Sequence, residues 1–406
     1  MVLKTGSTKD LEELTDGLYE EAQGMYDQLV AWRRSLHQMP ELGIELPKSS
    51  AFIQKQLDEM GISYTTYVDG SCVVAMVGNT SGPCILLRAD FDALPVCEQS
   101  GEPFASTNGC MHACGHDMHA AMLLGAAKLL KEREDKLPGC VKLLFQPGEE
   151  GAHGAALCVE QGVLENPKPA VGFAIHVGSE VPLGTWMWGI HALSRAKYFQ
   201  VVVEGEGGHG STPEVCIDPI TPAAYIHLGF QELVTREISG KDIVVLTTGT
   251  FQAGDAPNVI PASATLRCNL RTFDDDLHDK LWKRIHEISE GVANTYRTKA
   301  TVSVLSDDPM LVCDEAMSKL ASGAVRKAEP DTTMLDNSMQ QMASEDFSYI
   351  ARELPSAFFM LGAKVDDEKV YGQHNPHVRF NEKALPMGAA AHVAVALTWL
   401  FDQTGK

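Results

Sequence analysis

Residues 85–150 decide the fold: ILLRADF (85–91), then DMHAAMLLGAAKLLKE (117–132), then VKLLF (141–145). The first and third runs are short and apolar, with Gly and Pro nearby, and read as buried strands. The middle run is rich in Ala and Leu and reads as a helix. Strand, helix, strand in this order argues for an α/β layer with a largely parallel sheet. Working outward, Cys72–Val77 and Val171–Ile175 read as further buried strands, and Leu11–Leu36 as one helix with apolar residues at three- and four-residue steps.

The pattern changes near Ala196. Phe199–Val203 reads as a strand, Pro219–Arg236 as a helix, Ile243–Phe251 and Thr265–Phe273 as strands, Leu277–Tyr296 as a helix and Ala300–Leu305 as a strand. That order is βαββαβ, a ferredoxin-like unit. After about Asp307 the alternation resumes with a helix at Glu315–Lys327, a strand at Ala357–Leu361 and a closing helix at Lys383–Phe401. The expectation is an α/β domain, discontinuous over 1–194 and 307–406, with a mixed, largely parallel sheet flanked by helices. An α+β domain over 195–306 is inserted into it.

The chain has 406 residues and a net charge of −21. Such an acidic surface repels nucleic acid and anionic membrane, so neither is expected as a partner. Met1–Leu14 is polar and acidic, unlike a signal peptide. No apolar run reaches the roughly 18 residues of a membrane span. Ten scattered cysteines then read as reduced thiols, and the expected compartment is the cytoplasm. Cys114 is set apart from the others by its neighbours.

Those neighbours form HACGHDMH (112–119), at a loop entering a helix. Thiolate and imidazole together suit zinc and its transition-metal neighbours. His119 lies within the helix near its apolar face, where packing competes with ligation. Upstream, Asp90 and Asp92 stand at a strand end at i, i+2 and are expected to point the same way. Either can meet a metal or orient a histidine that does. Glu149 and Glu150 follow the strand 141–145. Adjacent glutamates diverge, so one can ligate while the other serves as general base. His176 and His374 are isolated, but both follow strands on the same expected rim.

RADFDALP, MHACGHDMHA, FQPGEEG, AIHVGS, GEGGHGSTP, NVIPASATLRCNLRTF, ASEDFSY and QHNPHVRFNE occur in this order between about residues 25 and 400. The set resembles the metallopeptidase clan of carboxypeptidases, aminoacylases and desuccinylases. It is most similar to the branch of hippurate hydrolase, auxin–amino acid conjugate hydrolases and N-acyl-amino acid amidohydrolases. The resemblance implies a metal-dependent amidohydrolase acting on small N-acyl amino acids or peptide-like amides. Two divalent ions per subunit are implied, manganese or zinc foremost, with cobalt and nickel as further candidates. The implied ligands are Cys114, His116, Glu150, His176 and His374. Glu149 matches the general base that activates water, and Asp92 the aspartate that orients a ligand. His209 matches an oxyanion-stabilising histidine that reaches the partner subunit's site. Asn258 and Arg271 match positions near the substrate. The inserted unit matches a lid and dimerisation domain, which implies a homodimer.

Three departures bear on the substrate. Gly148 replaces the usual alanine before the glutamates. Leu193–Lys197 lacks a common acidic residue and carries Arg195 and Lys197. The tryptophan often found after His176 is missing. Rival readings are a dipeptidase or carboxypeptidase, a hydrolase of aryl amides on the same site, and a metal-binding protein without turnover. The last is disfavoured by the presence of both Glu149 and Asp92.

Overall fold

Cys84–Asp90 and Cys140–Gln146 are buried along their whole length, which explains why neither shows polar alternation. In the computed structural model, which describes residues 8–404, they lie side by side and parallel, with Cys84 opposite Cys140 and Asp90 opposite Gln146. The start of the polar Met1–Leu14 segment lies outside the described residues. Two compact units divide the chain. One comprises Met1–Ala192, Val312–Met339 and Asp346–Lys406, and the other Leu193–Leu311 with Gln340–Glu345.

The first unit is built on an eight-stranded sheet. Its centre is parallel: Cys140–Gln146, Cys84–Asp90, Val171–Gly178 and Ser356–Gly362, in that spatial order. Cys72–Gly78 joins one side antiparallel and is followed by Tyr64–Tyr67. Thr185–Trp188 joins the other side antiparallel, then Thr333–Leu335 parallel to it. Parallel strands share a C-terminal edge, so the segments after residues 90 and 146 and the end of the strand carrying His176 gather on one rim.

Helix His116–Lys131 packs on this sheet and against helix Ala384–Thr404. The latter is apolar all round and corrects the expectation that no apolar run reaches the length of a membrane span. It has 21 residues and a mean hydropathy of 1.6 in its most apolar window. It is nevertheless a core helix, with Leu385, Val393, Leu397 and Leu400 wholly buried. A second correction concerns the N-terminus. The helix expected over Leu11–Leu36 is three: Thr8–Thr15, Leu18–Gly24 and Tyr26–His37. Gly17, at φ 67°, breaks the first junction, and Met25 leaves helical geometry at the second.

The second unit has a four-stranded antiparallel sheet, ordered Val244–Ala253, Ser263–Thr272, Arg195–Glu204, Lys299–Asp308. Helices Ile220–Arg236 and Asp275–Thr295 pack on it and on each other. Phe199, Val201 and Val203 alternate inward to meet Phe230 and Ile285 in a separate core.

Candidate metal centre

His116 is the first residue of its helix, and Cys114 ends the preceding loop. Gly115 between them has φ 93°, and a Cβ there would stand 2.5 Å from Val177 Cγ2. Glycine is therefore required for the loop to bring both side chains to the rim. His116 Nδ1 lies 3.0 Å from the Asp92 carbonyl and donates to it. This fixes the tautomer and points Nε2 away. That Nε2 is buried with no hydrogen-bond partner. It lies 3.9 Å from Glu149 Oε2. His176 donates from Nδ1 to the Val177 carbonyl at 2.8 Å, which leaves Nε2 facing Cys114 Sγ at 3.5 Å. His374, at φ 65° and held by its N–H to the Ala113 carbonyl, sets Nε2 3.3 Å from Glu150 Oε1.

The predicted ligands thus fall into overlapping groups. Ligand atoms of Cys114, His116 and His176 lie within 4.8 Å of one another, as do those of Cys114, Glu150 and His374, and those of His116, Glu149 and Glu150. Cys114 belongs to two groups and Glu150 to two. Burial raises the Cys114 thiol, but the His176 and His116 imidazoles outweigh it and bring it down to about 6. Hydrogen bonding to Cys114 and then Glu150 raises His374 to about 10. The His374 imidazolium holds a proton that a cation would displace, while the Cys114 thiolate is already deprotonated for ligation. A sulfur, three imidazoles and a carboxylate, with His116 Nε2 otherwise orphaned, fit a divalent transition ion better than magnesium or calcium.

Asp90 and Asp92, expected from their spacing to point the same way, engage different partners. The strand ends at Asp90, so the alternation does not carry through. Asp90 takes Arg88 Nη1 at 2.8 Å and His119 Nδ1 at 2.5 Å. Asp92 lies beyond the strand, and its two oxygens accept the backbone N–H groups of Glu149 and Glu150, each at 3.0 Å. His119 accepts the Val177 N–H at Nε2, 2.9 Å away. With both nitrogens engaged it is a brace and not a ligand, although Asp90, His116 and His119 stand close enough to suggest a metal group. Burial lowers its pKa to about 3, so it is neutral.

Asp346, which the sequence reading passed over, braces the glutamate turn from behind. It accepts Arg88 Nη2 at 2.9 Å, Gln146 Nε2 at 2.8 Å and the Ala155 N–H at 2.8 Å. A buried aspartate in a Ser-Glu-Asp-Phe run was its only sequence signal. The other predicted residues lie in the second unit. His209, exposed, accepts the Ser211 N–H at Nδ1 and sits in a two-stranded pairing opposite Val259. Asn258 is close by, accepting the Gly210 N–H at 2.8 Å through its carbonyl. Arg271 gives Nη1 to the Met342 carbonyl at 2.6 Å and Nη2 to the Tyr198 hydroxyl.

The profile of Peptidase family M20/M25/M40 matches residues 86–398. The chain is 36% identical over 387 residues to IAA-amino acid hydrolase ILR1-like 4 of Arabidopsis thaliana, covering 93% of this chain and 87% of that protein. It is 36% identical over 361 residues to N-acetyl-L-cysteine deacetylase of Bacillus subtilis, covering 88% and 85%. The crystal structure of the Bacillus subtilis YxeP protein, described as a dinuclear metal binding peptidase from the M20 family, superposes with a TM-score of 0.79 at 30% identity. The match covers 93% of this chain and 99% of that one.

Proposed function

The chain belongs to peptidase family M20/M25/M40, as a hydrolase that uses divalent metal ions, and from that premise we propose that it cleaves the amide bond of N-acyl amino acids or related small conjugates. The observation that supports this reading best is the paired glutamate turn. One Asp92 carboxylate fixes both backbone amides, and the side chains then part, Glu149 toward His116 and Glu150 toward His374. One turn therefore supplies both a base and a ligand.

Cys114, His116, Glu150, His176 and His374 would hold two divalent ions, manganese or zinc. Such ions polarise an amide carbonyl and lower the pKa of water toward neutrality. Glu149 takes the proton from the attacking water and passes it to the leaving nitrogen. Asp92 keeps Glu149 in place through the backbone. His209 donates to the oxyanion that develops on the carbonyl oxygen. Asn258 and Arg271 receive the substrate carboxylate. Arg271 already spends two nitrogens on Met342 and Tyr198, so Asn258 is the freer of the two. The second unit is assigned as lid and dimerisation domain of a cytoplasmic homodimer, with each His209 serving the site of the partner subunit.

The test is a panel of N-acetyl amino acids, N-aryl-acyl amino acids and dipeptides, assayed with manganese, zinc and cobalt. Hydrolysis of the N-acyl compounds with kcat/KM well above that for dipeptides is expected. Turnover confined to dipeptides would replace this reading with that of a dipeptidase.

A further inference from the structure

Leu42 and Ile44 expose large apolar side chains, 42% and 37% accessible, in a segment that touches the glutamate turn. The segment is fixed at both ends. Glu41 accepts the Ala93 N–H at 2.8 Å through its carbonyl, and Leu42 bridges to Ala93. The Glu41 carboxylate accepts Lys48 and Ser49 N–H groups at the start of helix Pro47–Glu59. The Leu46 N–H donates to Ser71 Oγ at 2.9 Å. Ala93 follows Asp92, the residue that holds both glutamates. On its other side the segment rests on Gly148: a Cβ built there would stand 2.8 Å from Ile44 Cγ2. Gly148 precedes Glu149, so Ile44 lies one residue from the general base.

Loops with exposed apolar side chains are ordinarily tolerated singly and without consequence. Here two occur within three residues, on backbone braced at both ends, and Ile44 lies against Gly148, the residue before Glu149. The absence of a Cβ at Gly148 is what lets Ile44 approach so closely. We infer that Leu42 and Ile44 form an apolar ledge that takes the hydrocarbon part of the substrate's acyl group and sets acyl-chain preference. This rests on the amide-hydrolysis reading above.

The experiment compares wild type with Ile44→Asn, and with Ile44→Ala in case asparagine perturbs folding. One substrate series varies the acyl group (acetyl, butanoyl, hexanoyl, benzoyl) on a single amino acid. A second keeps the acetyl group and varies the amino acid. Removing apolar contact of this size changes selectivity by about tenfold or more. The kcat/KM for hexanoyl and benzoyl substrates should fall by about that factor relative to acetyl, while the amino-acid series moves uniformly, and Ile44→Leu should restore most of the loss. Hexanoate binding to the metal-loaded protein, measured by calorimetry, should weaken in parallel. This arm needs no turnover and so separates the ledge from the hydrolysis reading. An acyl series that shifts uniformly, or a change confined to the amino-acid series, would overturn the ledge. A wild type that binds hexanoate in an Ile44-dependent way but cleaves no amide would retain the ledge and sink the hydrolysis reading.

Discussion

The carboxylate of Asp92 accepts the backbone N–H of Glu149 at 3.0 Å, and its second oxygen accepts that of Glu150 at the same distance. Both carboxylate oxygens are thus engaged as acceptors. In Asp92→Asn one oxygen remains, and the amide NH2 faces an N–H group it cannot bond. The glutamate turn then loses one anchor at a buried position, a change of about 1–3 kcal/mol. We expect kcat to fall by about ten- to a hundredfold, in line with the loss of other groups that orient a metal site. Metal content at saturating manganese should stay near wild type. Asp92→Asn with unaltered kcat would reduce this bond to ordinary loop structure.

Cys114 stands in two of the ligand groups and is a thiolate at neutral pH, since its pKa is about 6. A serine there keeps its proton and offers a harder, poorer ligand. Cys114→Ser should therefore lose metal on dialysis that leaves wild type loaded, as read by elemental analysis. Activity should return in part when excess manganese is supplied. Equal metal retention in both proteins would make Cys114 a packing residue.

His37 gives a pH dependence away from the metal ligands' side chains. Burial lowers its pKa, but Asp117 at Nδ1 and Glu98 at Nε2 prevail and raise it to about 9. A group raised in the folded state stabilises fully below its unfolded pKa of about 6.5, and that contribution is gone above about 9. The span corresponds to at most about 3 kcal/mol. Glu98 is lowered, against its burial, by hydrogen bonds from His37 and Ser100 to about 2, so its own linkage lies in the acid range and leaves this window to His37. Thermal melts of wild type and His37→Gln between pH 6 and 9.5 should differ most at pH 6 and converge by pH 9.5. Parallel curves would show that His37 is neutral in the folded chain.

Much of the first unit's sheet was legible because strands buried on both faces are apolar without interruption, as in Cys140–Gln146. The short strands Thr185–Trp188 and Thr333–Leu335 at one end of the sheet were not, since so few residues carry no period. Helix Pro47–Glu59 was missed although a proline opens it. Its buried face includes Ser49, Ser50 and Gln56, so the apolar stripe is broken. At the candidate centre, residue types and loop positions foretold which side chains would meet. Which nitrogen of each histidine would be free could not be foretold. His119 shows why: its partners are an aspartate 29 residues upstream and a backbone N–H 58 residues downstream. Asp92 accepts from His116 Nδ1 through its carbonyl while its carboxylate clamps the backbone of the glutamates, two contacts that spacing alone does not foretell.

The proposed reach of His209 into the site of the partner subunit can be tested by mixing two inactive proteins. Glu149→Ala removes the base and should lower kcat by about two to four orders of magnitude with metal retained. His209→Ala should also lower kcat while leaving metal content unchanged, because His209 lies on the second unit, outside every ligand group described above. In an isologous dimer each lid serves the opposite subunit. A hybrid dimer of the two variants then has one site with both residues intact and one with both missing. Random exchange makes about half of the dimers hybrid, each with one good site, so activity should recover to about a quarter of wild type. Subunit exchange is followed by mass spectrometry of differently tagged chains. If exchange is complete and activity does not return, His209 serves its own subunit or takes no part in the reaction.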